Sequence, residues 1–338
     1  MTLNQSMNRF VSSAAVPPEL ERVASILAGK RVVFLTGAGI STLSGLPDYR
    51  GKNGTYVVNP NYTPITFQKF MSDSYQQRRY WARATSSWAR FSSATPSACH
   101  VALAALKQDI VTQNVDNLHT KAGSPATELH GSLYKVECVD CRAITPRDIF
   151  HRRILEANDH KTFAGLAVAD GDTAIPDEVI HSFKMPRCLS CGGLLKPAVV
   201  FFGENVRKDV AQEALAKVHK AEALVVMGTT LTVWSAYRLL LAAAALPHRK
   251  VSSASLSPPS PRDLRRAMAA PDMREEPIPI IVVNEGATRG DWLADHVVNT
   301  DVGVAAQWLA AELSPNHGTV GVGDPSAVTQ PTNHTTHA

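Results

Sequence analysis

The chain of 338 residues has no apolar run near the roughly 20 residues needed to span a bilayer. Its longest, "LLLAAAAL" (Leu239 to Leu246), suits a buried helix, so no membrane association is expected. The first twenty residues lack a charged start followed by an apolar centre, which makes a poor secretory signal. They are Ser-rich and acid-poor up to Glu19, as a mitochondrial presequence also is; the expected location is cytoplasmic. Cysteines number only five, too few for a disulfide scaffold. Basic density is also missing. The net charge is +4, and "RDLRR" (Arg262 to Arg266) is a short solvated stretch, so no nucleic-acid partner is expected. There are no internal repeats.

What is present is apolar and orderly. Hydrophobic residues make up 44% and charged residues 19%, enough for a large core. Five apolar runs are each followed by turn chemistry: "RVVFLTGAG", "DIVTQNVD" (Asp109 to Asp116), "AVVFFGEN" (Ala198 to Asn205), "ALVVMGTT" (Ala223 to Thr230) and "PIIVVNEG" (Pro279 to Gly286). Helical patterns lie among them: "SACHVALAALKQ", "DVAQEALAKVHKA" and "SAYRLLLAAAAL". Strands alternating with helices predict an α/β fold, a Rossmann-like parallel sheet with helices on both faces. Near-continuous hydrophobic strands suit a sheet buried on both sides. Each run ends in small or polar residues, and ligands of open parallel sheets bind outside the carboxyl ends of the strands. The five tips are therefore expected to meet at one cleft.

Two inserted segments and the two ends break the alternation. Residues 136–195 hold both cysteine pairs and are expected to form a small inserted zinc-binding module, leaving 19–135 and 196–313 as the catalytic domain. Residues 252–277 are rich in Pro and Ser and read as a flexible loop. Residues 1–18 read as a flexible N-terminus and 314–338 as a disordered tail.

In "VVFLTGAGISTLSGLPDYRG", Gly37 and Gly39 allow a tight turn and close approach to a phosphate, which the next helix would meet with free N–H groups. The third glycine of the dinucleotide pattern is absent, since position 42 is Thr42. An ordinary strand-to-helix turn is the alternative. Cys138-Val-Asp-Cys141 and Cys188-Leu-Ser-Cys191 match two knuckles of a tetrahedral zinc site. Their spacer of 46 residues, Arg142 to Arg187, exceeds the usual ~15–20. A redox pair is the alternative. Four protein ligands would leave the metal no open position, so its role would be structural. His130, in "TELHGSLYKVEC", could act as a base near neutral pH. His119 and His100 read as structural. "TQNVDNLH" sets two amides and a carboxylate at a strand end, able to read a carboxamide or to cap a helix.

In order along the chain, "GAGISTLSGLPDYRG", "TQNVDNLH", "ELHGS", two C-x-x-C pairs, "KPAVVFFGE", "GTTLTV" and "VVNEG" resemble the sirtuins, NAD-dependent protein-lysine deacylases, over residues 20 to 313. "PDYR", "TQNVDNLHTKAG" and "QRRYWAR" look like the branch often called class II. The resemblance implies that NAD is consumed: the nicotinamide–ribose bond breaks and the acyl group of a protein lysine passes to ADP-ribose. It also implies one structural zinc ion held by Cys138, Cys141, Cys188 and Cys191. By the same resemblance, Gly37, Ala38, Gly39 and Ser41 would face the pyrophosphate, and Asp48, Tyr49 and Arg50 would belong to a mobile cofactor loop. The family commonly has Phe where Tyr49 stands. Gln113 and Asn114 would contact the ribose, Val115 would belong to the same cofactor stretch, and Asp116 would hold the carboxamide. His130 would be the general base, with Asn114 and Asp116 beside it in the catalytic set. Gly228, Thr229 and Thr230 would bind the adenosine side, Asn284, Glu285 and Gly286 its ribose, and Val302 the adenine. Val200, Phe202, Gly203 and Glu204 would pair with an acyl-lysine substrate as an added strand. Tyr80 and Arg83, three apart on one helix face, match a Tyr-x-x-Arg that in some sirtuins reads acidic acyl groups; a core aromatic beside a surface arginine is the alternative. Protein mono-ADP-ribosylation, a preference for dicarboxylic or lipoyl groups, and a catalytically silent ADP-ribose sensor are the competing functions.

Overall fold

The computed structural model describes residues 17–160, 166–167, 173–245 and 274–314. The loop expected at 252–277 falls outside them up to residue 273, and so do residues 1–16 and 315–338 of the two expected flexible ends. Among the described residues eleven strands occur in chain order: β1 (Val32–Thr36), β2 (Asp109–Thr112), β3 (Thr127–Glu128), β4 (Gly131–Cys138), β5 (Ile144–Pro146), β6 (Leu166–Ala167), β7 (Thr173–Ala174), β8 (Leu195–Val199), β9 (Ala223–Met227), β10 (Ile280–Val283) and β11 (His296–Val298). Six form one parallel sheet in the order β11-β10-β9-β1-β2-β3.

Side chains of a strand alternate between faces, and here both faces are apolar and covered. Val33, Leu35, Leu224, Val226 and Val282 pack in one core with Ala214 and Val218 of the helix Lys208–Lys220 and Leu240 of the helix Trp234–Ala244. Val32, Phe34, Ile110, Val225 and Ile281 pack in another with residues of the helices Pro18–Leu27, Ala98–Leu106 and Val302–Leu313. Each fully buried Leu or Val contributes about 1.5–3 kcal/mol. The expected Rossmann-like sheet with two helical faces is what the chain forms.

Register makes the rim. Thr36 pairs with both Thr112 and Met227, and Met227 pairs with Val283. Four strands therefore stop level with one another, and Gly37, Gln113, Gly228 and Asn284 follow side by side. Main-chain bonds fasten these tips: Gln113 N–H donates to Thr36 O (2.9 Å), Gly37 N–H to Met227 O (3.1 Å) and Gly228 N–H to Val283 O (3.2 Å).

The run at 198–205 departs from expectation. It supplies no strand to the parallel sheet. Its first residues end β8, which pairs antiparallel with β4 in a separate three-stranded sheet, β5-β4-β8. A short apolar run does not reveal its partner. It still reaches the rim, because Val200 N–H donates to His130 O (2.8 Å). This second sheet spans 131 to 199, wider than the cysteine segment 136–195. It packs with the helices Ser74–Ser86 and Arg147–Ala157 around Trp81, whose ring meets Phe150 at 4.7 Å and whose Nε1 donates to Leu195 O (3.0 Å).

Candidate active site

The glycine loop is held by its neighbour. A Cβ at Gly37 would lie 2.5 Å from the Cβ of Thr229, and one at Gly39 would lie 2.9 Å from the Cα of Gly228. Both positions must be glycine for the tips of β1 and β9 to touch. Gly39 N–H donates to Gly228 O (2.9 Å). The helix expected after the loop is a short 3-10 turn, Ala38–Ser44, closed by Gly45 at φ 77°. Its tight winding follows from the Gly45 stop and the Ser/Thr content, which favours local turns over a long helix.

Beneath this turn lies a buried polar network. Ser41 Oγ donates to Asp116 Oδ2 (2.7 Å), and Asn114 Nδ2 donates to Gly37 O and Ser41 Oγ, both at 3.1 Å. Asp116 Oδ1 accepts from Leu118 N–H (2.9 Å), the helix-start contact that the sequence allowed for it. Gln113 Nε2 donates to Thr229 Oγ1 (2.9 Å) and joins the tip of β2 to that of β9. Val115 O accepts from Leu133 N–H (2.9 Å), which ties the stretch to β4.

His130 follows β3 and precedes β4. Its Nδ1 is 3.0 Å from Gln113 O and its Nε2 is 2.7 Å from Ser235 Oγ. A carbonyl oxygen can only accept, so Nδ1 carries the proton and Nε2 presents its lone pair. Burial pushes the imidazole pKa down, opposed by the bond to Gln113 O. The ring is therefore neutral at physiological pH. Sequence reasoning missed Ser235, since a serine in the first turn of a helix carries no motif.

His100 and His119 are buried, 0% and 3% exposed, with rings 4.8 Å apart. His119 Nε2 lies 3.0 Å from Thr36 Oγ1, and His100 Nδ1 completes a capping box with Ser97. Burial lowers their pKa values to about 3 for His119 and about 4 for His100. Both are held inside the fold by neighbouring hydroxyls.

The other expected site residues are placed as follows. Asp48, Tyr49 and Arg50 lie on a loop folded on itself: Asp48 O accepts from Thr55 N–H (2.9 Å), Tyr49 stacks on Tyr56 at 5.9 Å, and Arg50 sits over Tyr56 at 5.0 Å. Thr230 Oγ1 is 2.9 Å from Thr232 Oγ1, and Thr230 O accepts from Arg289 N–H (3.0 Å). Asn284 Nδ2 donates to Glu285 O and Gly286 O, and Glu285 is exposed. Val302 opens a helix with its side chain in the core. Phe202 is exposed, and its O accepts from Phe67 N–H (2.9 Å); Gly203 O accepts from Gln68 Nε2 (3.2 Å). The Glu204 carboxylate is tied to Lys196 Nζ (3.0 Å) and Phe201 N–H (2.9 Å), so it fixes the loop. Tyr80 packs against Phe70, Trp81 and Phe201, and burial raises its phenol pKa. Arg83 is half-buried on the same helix.

The four cysteines converge. Their Sγ atoms all lie within 4.8 Å of one another, with Cys138–Cys191 at 3.5 Å and Cys141–Cys188 at 3.7 Å. Zinc–sulfur bonds of about 2.3 Å in a tetrahedron put sulfurs about 3.8 Å apart, so the set fits zinc. The knuckles are built alike. Arg142 N–H donates to Cys138 O (3.0 Å) and Gly192 N–H to Cys188 O (2.9 Å), and both donors have positive φ.

A level polar rim on a parallel sheet, a neutral histidine beside it and a closed four-thiol clasp define a nucleotide-binding α/β enzyme with a structural metal module. The sequence profile of the Sir2 family matches residues 37–235. An "NAD-dependent protein deacetylase 3" of Pseudomonas syringae pv. tomato is 38% identical over 302 residues, 87% of this chain and 96% of that protein. A "NAD-dependent protein lipoamidase sirtuin-4, mitochondrial" of Bos taurus is 38% identical over 283 residues, 82% of this chain and 80% of that protein. A solved structure described as Sir2 with a p53 peptide and NAD+ has a TM-score of 0.59 at 26% identity, covering 87% of this chain and 98% of its own. The chain belongs to the Sir2 family.

Proposed function

We infer that this chain is an NAD-dependent protein deacylase that takes the acyl group from a lysine of a protein substrate and passes it to ADP-ribose. The observation that carries the reading is His130: a neutral imidazole with Nδ1–H on Gln113 O and an unprotonated Nε2 that accepts from Ser235 Oγ. The donor set suits NAD, with amides and hydroxyls at the tips of β1, β2, β9 and β10 and a carboxylate, Asp116, within the Ser41–Asn114 network. When bound, NAD supplies an electrophilic anomeric carbon as nicotinamide departs.

The chain's own residues do the rest. Gly37 and Gly39 let backbone approach the pyrophosphate. Asp116, oriented by Ser41 and Leu118 N–H, reads the carboxamide, while Gln113 and Asn114 position the ribose. Thr229, Thr230, Asn284, Glu285 and Gly286 hold the adenosine half, with Val302 behind them. His130 Nε2 removes the proton of a ribose hydroxyl, worth about 10²–10⁴-fold. Tyr49 and Arg50 close over the cleft and exclude water. The exposed Phe202, with Val200 and Gly203, offers the edge for a substrate strand. The four cysteines would hold zinc with no open position, so it would serve structure rather than the reaction. Among the described residues no helix is long and apolar enough to cross a membrane.

A panel of acetyl, glutaryl, lipoyl and long-chain acyl-lysine peptides, with and without NAD, tests the reading. Nicotinamide, free lysine and O-acyl-ADP-ribose are expected in equal amounts in the first turnovers. ADP-ribose attached to protein, with the acyl-lysine intact, would favour mono-ADP-ribosylation.

A further inference from the structure

Ser235 Oγ lies 2.7 Å from His130 Nε2. The tautomer fixed by Gln113 O leaves Nε2 unprotonated, so the hydroxyl donates to it. Hydroxyl, imidazole and an acceptor on the far ring nitrogen form the arrangement that activates a serine nucleophile: the base is in reach and a third group orients it. Ser235 is also the second residue of the helix Trp234–Ala244. The first turn of that helix is already bonded, with Ala236 N–H and Tyr237 N–H both donating to Val233 O (3.2 and 3.1 Å). Nothing in the deacylation steps above requires this hydroxyl.

We propose that Ser235 is an acyl acceptor that hydrolyses the acyl ester of ADP-ribose formed in this cleft. The proposal rests on the deacylase reading for the source of its ester. His130 serves a ribose hydroxyl, so an ester on that ribose lies at the nitrogen Ser235 already touches. In the first step Oγ bonds to the ester carbonyl carbon while Nε2 takes the serine proton. The bond from that carbon to the ribose oxygen then breaks, and the ribose oxygen takes the proton from Nε2. In the second, Nε2 removes a proton from water as it attacks the acyl-serine. The acyl–Oγ bond breaks, Oγ regains a proton, and the carboxylic acid leaves. No oxidant or reductant is needed. The enzyme would thus release free carboxylate slowly from its own ester product.

A serine-directed fluorophosphonate probe, given to the wild-type protein without NAD and mapped by peptide mass spectrometry, reads this directly. The adduct is expected on Ser235, lost in His130→Ala and diminished by saturating ADP-ribose. Purified O-acetyl-ADP-ribose should yield acetate about a hundredfold more slowly with Ser235→Ala than with wild type, at an unchanged melting midpoint. An unlabelled Ser235 in the wild type, or equal acetate release by a folded Ser235→Ala, overturns the proposal. NAD-dependent lysine deacylation is measured beside it. Deacylation with Ser235 unlabelled sinks this inference alone. A labelled Ser235 without deacylation supports the nucleophile and sinks the deacylase reading.

Discussion

The rim of the parallel sheet and the cysteine clasp both gather distant residues to a point, by opposite means. At the rim, strand register does the gathering: Gly37, Gln113, Gly228 and Asn284 are neighbours because the strands before them end level. The side chains there share hydrogen bonds, and the neutral His130 imidazole beside them keeps an unprotonated Nε2 on Ser235 Oγ. At the clasp, two matching turns bring four sulfurs within 4.8 Å of one another, and all of them point inward. The first region keeps a reactive valence open and the second closes every one. Chemistry therefore belongs to the first, and stability to the second.

Emptying the clasp should have the largest effect. Structural zinc supplies folding free energy outright. Cys188→Ser, or a strong chelator, is expected to abolish activity and lower the melting temperature, with one equivalent of zinc lost by elemental analysis. An active, equally stable zinc-free protein would erase the contrast. Next comes the rim's backbone. Gly37→Ala places a Cβ 2.5 Å from the Cβ of Thr229. Overpacking of this kind costs about 1–3 kcal/mol, read from urea midpoints, and NAD binding should weaken with it because the Gln113–Thr229 bond moves.

Acid should act on the sheet region through His100 and His119. Both are held neutral in the fold, with pKa values lowered to about 4 and about 3. The unfolded chain binds protons at about 6.5, so it carries more protons than the fold below that pH. Stability then rises with pH across this window and is lost as pH falls from about 6.5 toward 4. Urea midpoints at pH 5 and pH 7 should differ more for wild type than for His100→Gln/His119→Gln. The smallest effect is expected at Arg83. Tyr80 is engaged in aromatic packing with Phe70, Trp81 and Phe201. Arg83→Ala should therefore lower turnover of acetyl and glutaryl peptides alike. Selective loss on glutaryl-lysine would instead make Tyr80 and Arg83 an acid-reading pair.

The strands β1, β2, β9 and β10 were legible because a sheet buried on both faces leaves uninterrupted apolar runs. The cysteines were legible because thiols in spaced pairs have few other uses. The run at 198–205 misled, since apolar character names no partner, and β3 and β11 are too short to leave a pattern. The helix Ser74–Ser86 went largely unread because its aromatic residues Tyr80 and Trp81 serve a separate core, apart from the two on the faces of the parallel sheet. Motif spacing placed His130 near the cofactor residues, while its tautomer and its contact with Ser235 depend on residues 17 and 105 positions away.

The most direct test measures nicotinamide released from NAD with an acetyl-lysine peptide, comparing wild type with His130→Ala at matched zinc content and melting temperature. A fall of about a hundredfold or more, with NAD still bound, is predicted. Wild-type turnover in the folded, zinc-loaded variant, or deacylation that proceeds without NAD, would contradict the account.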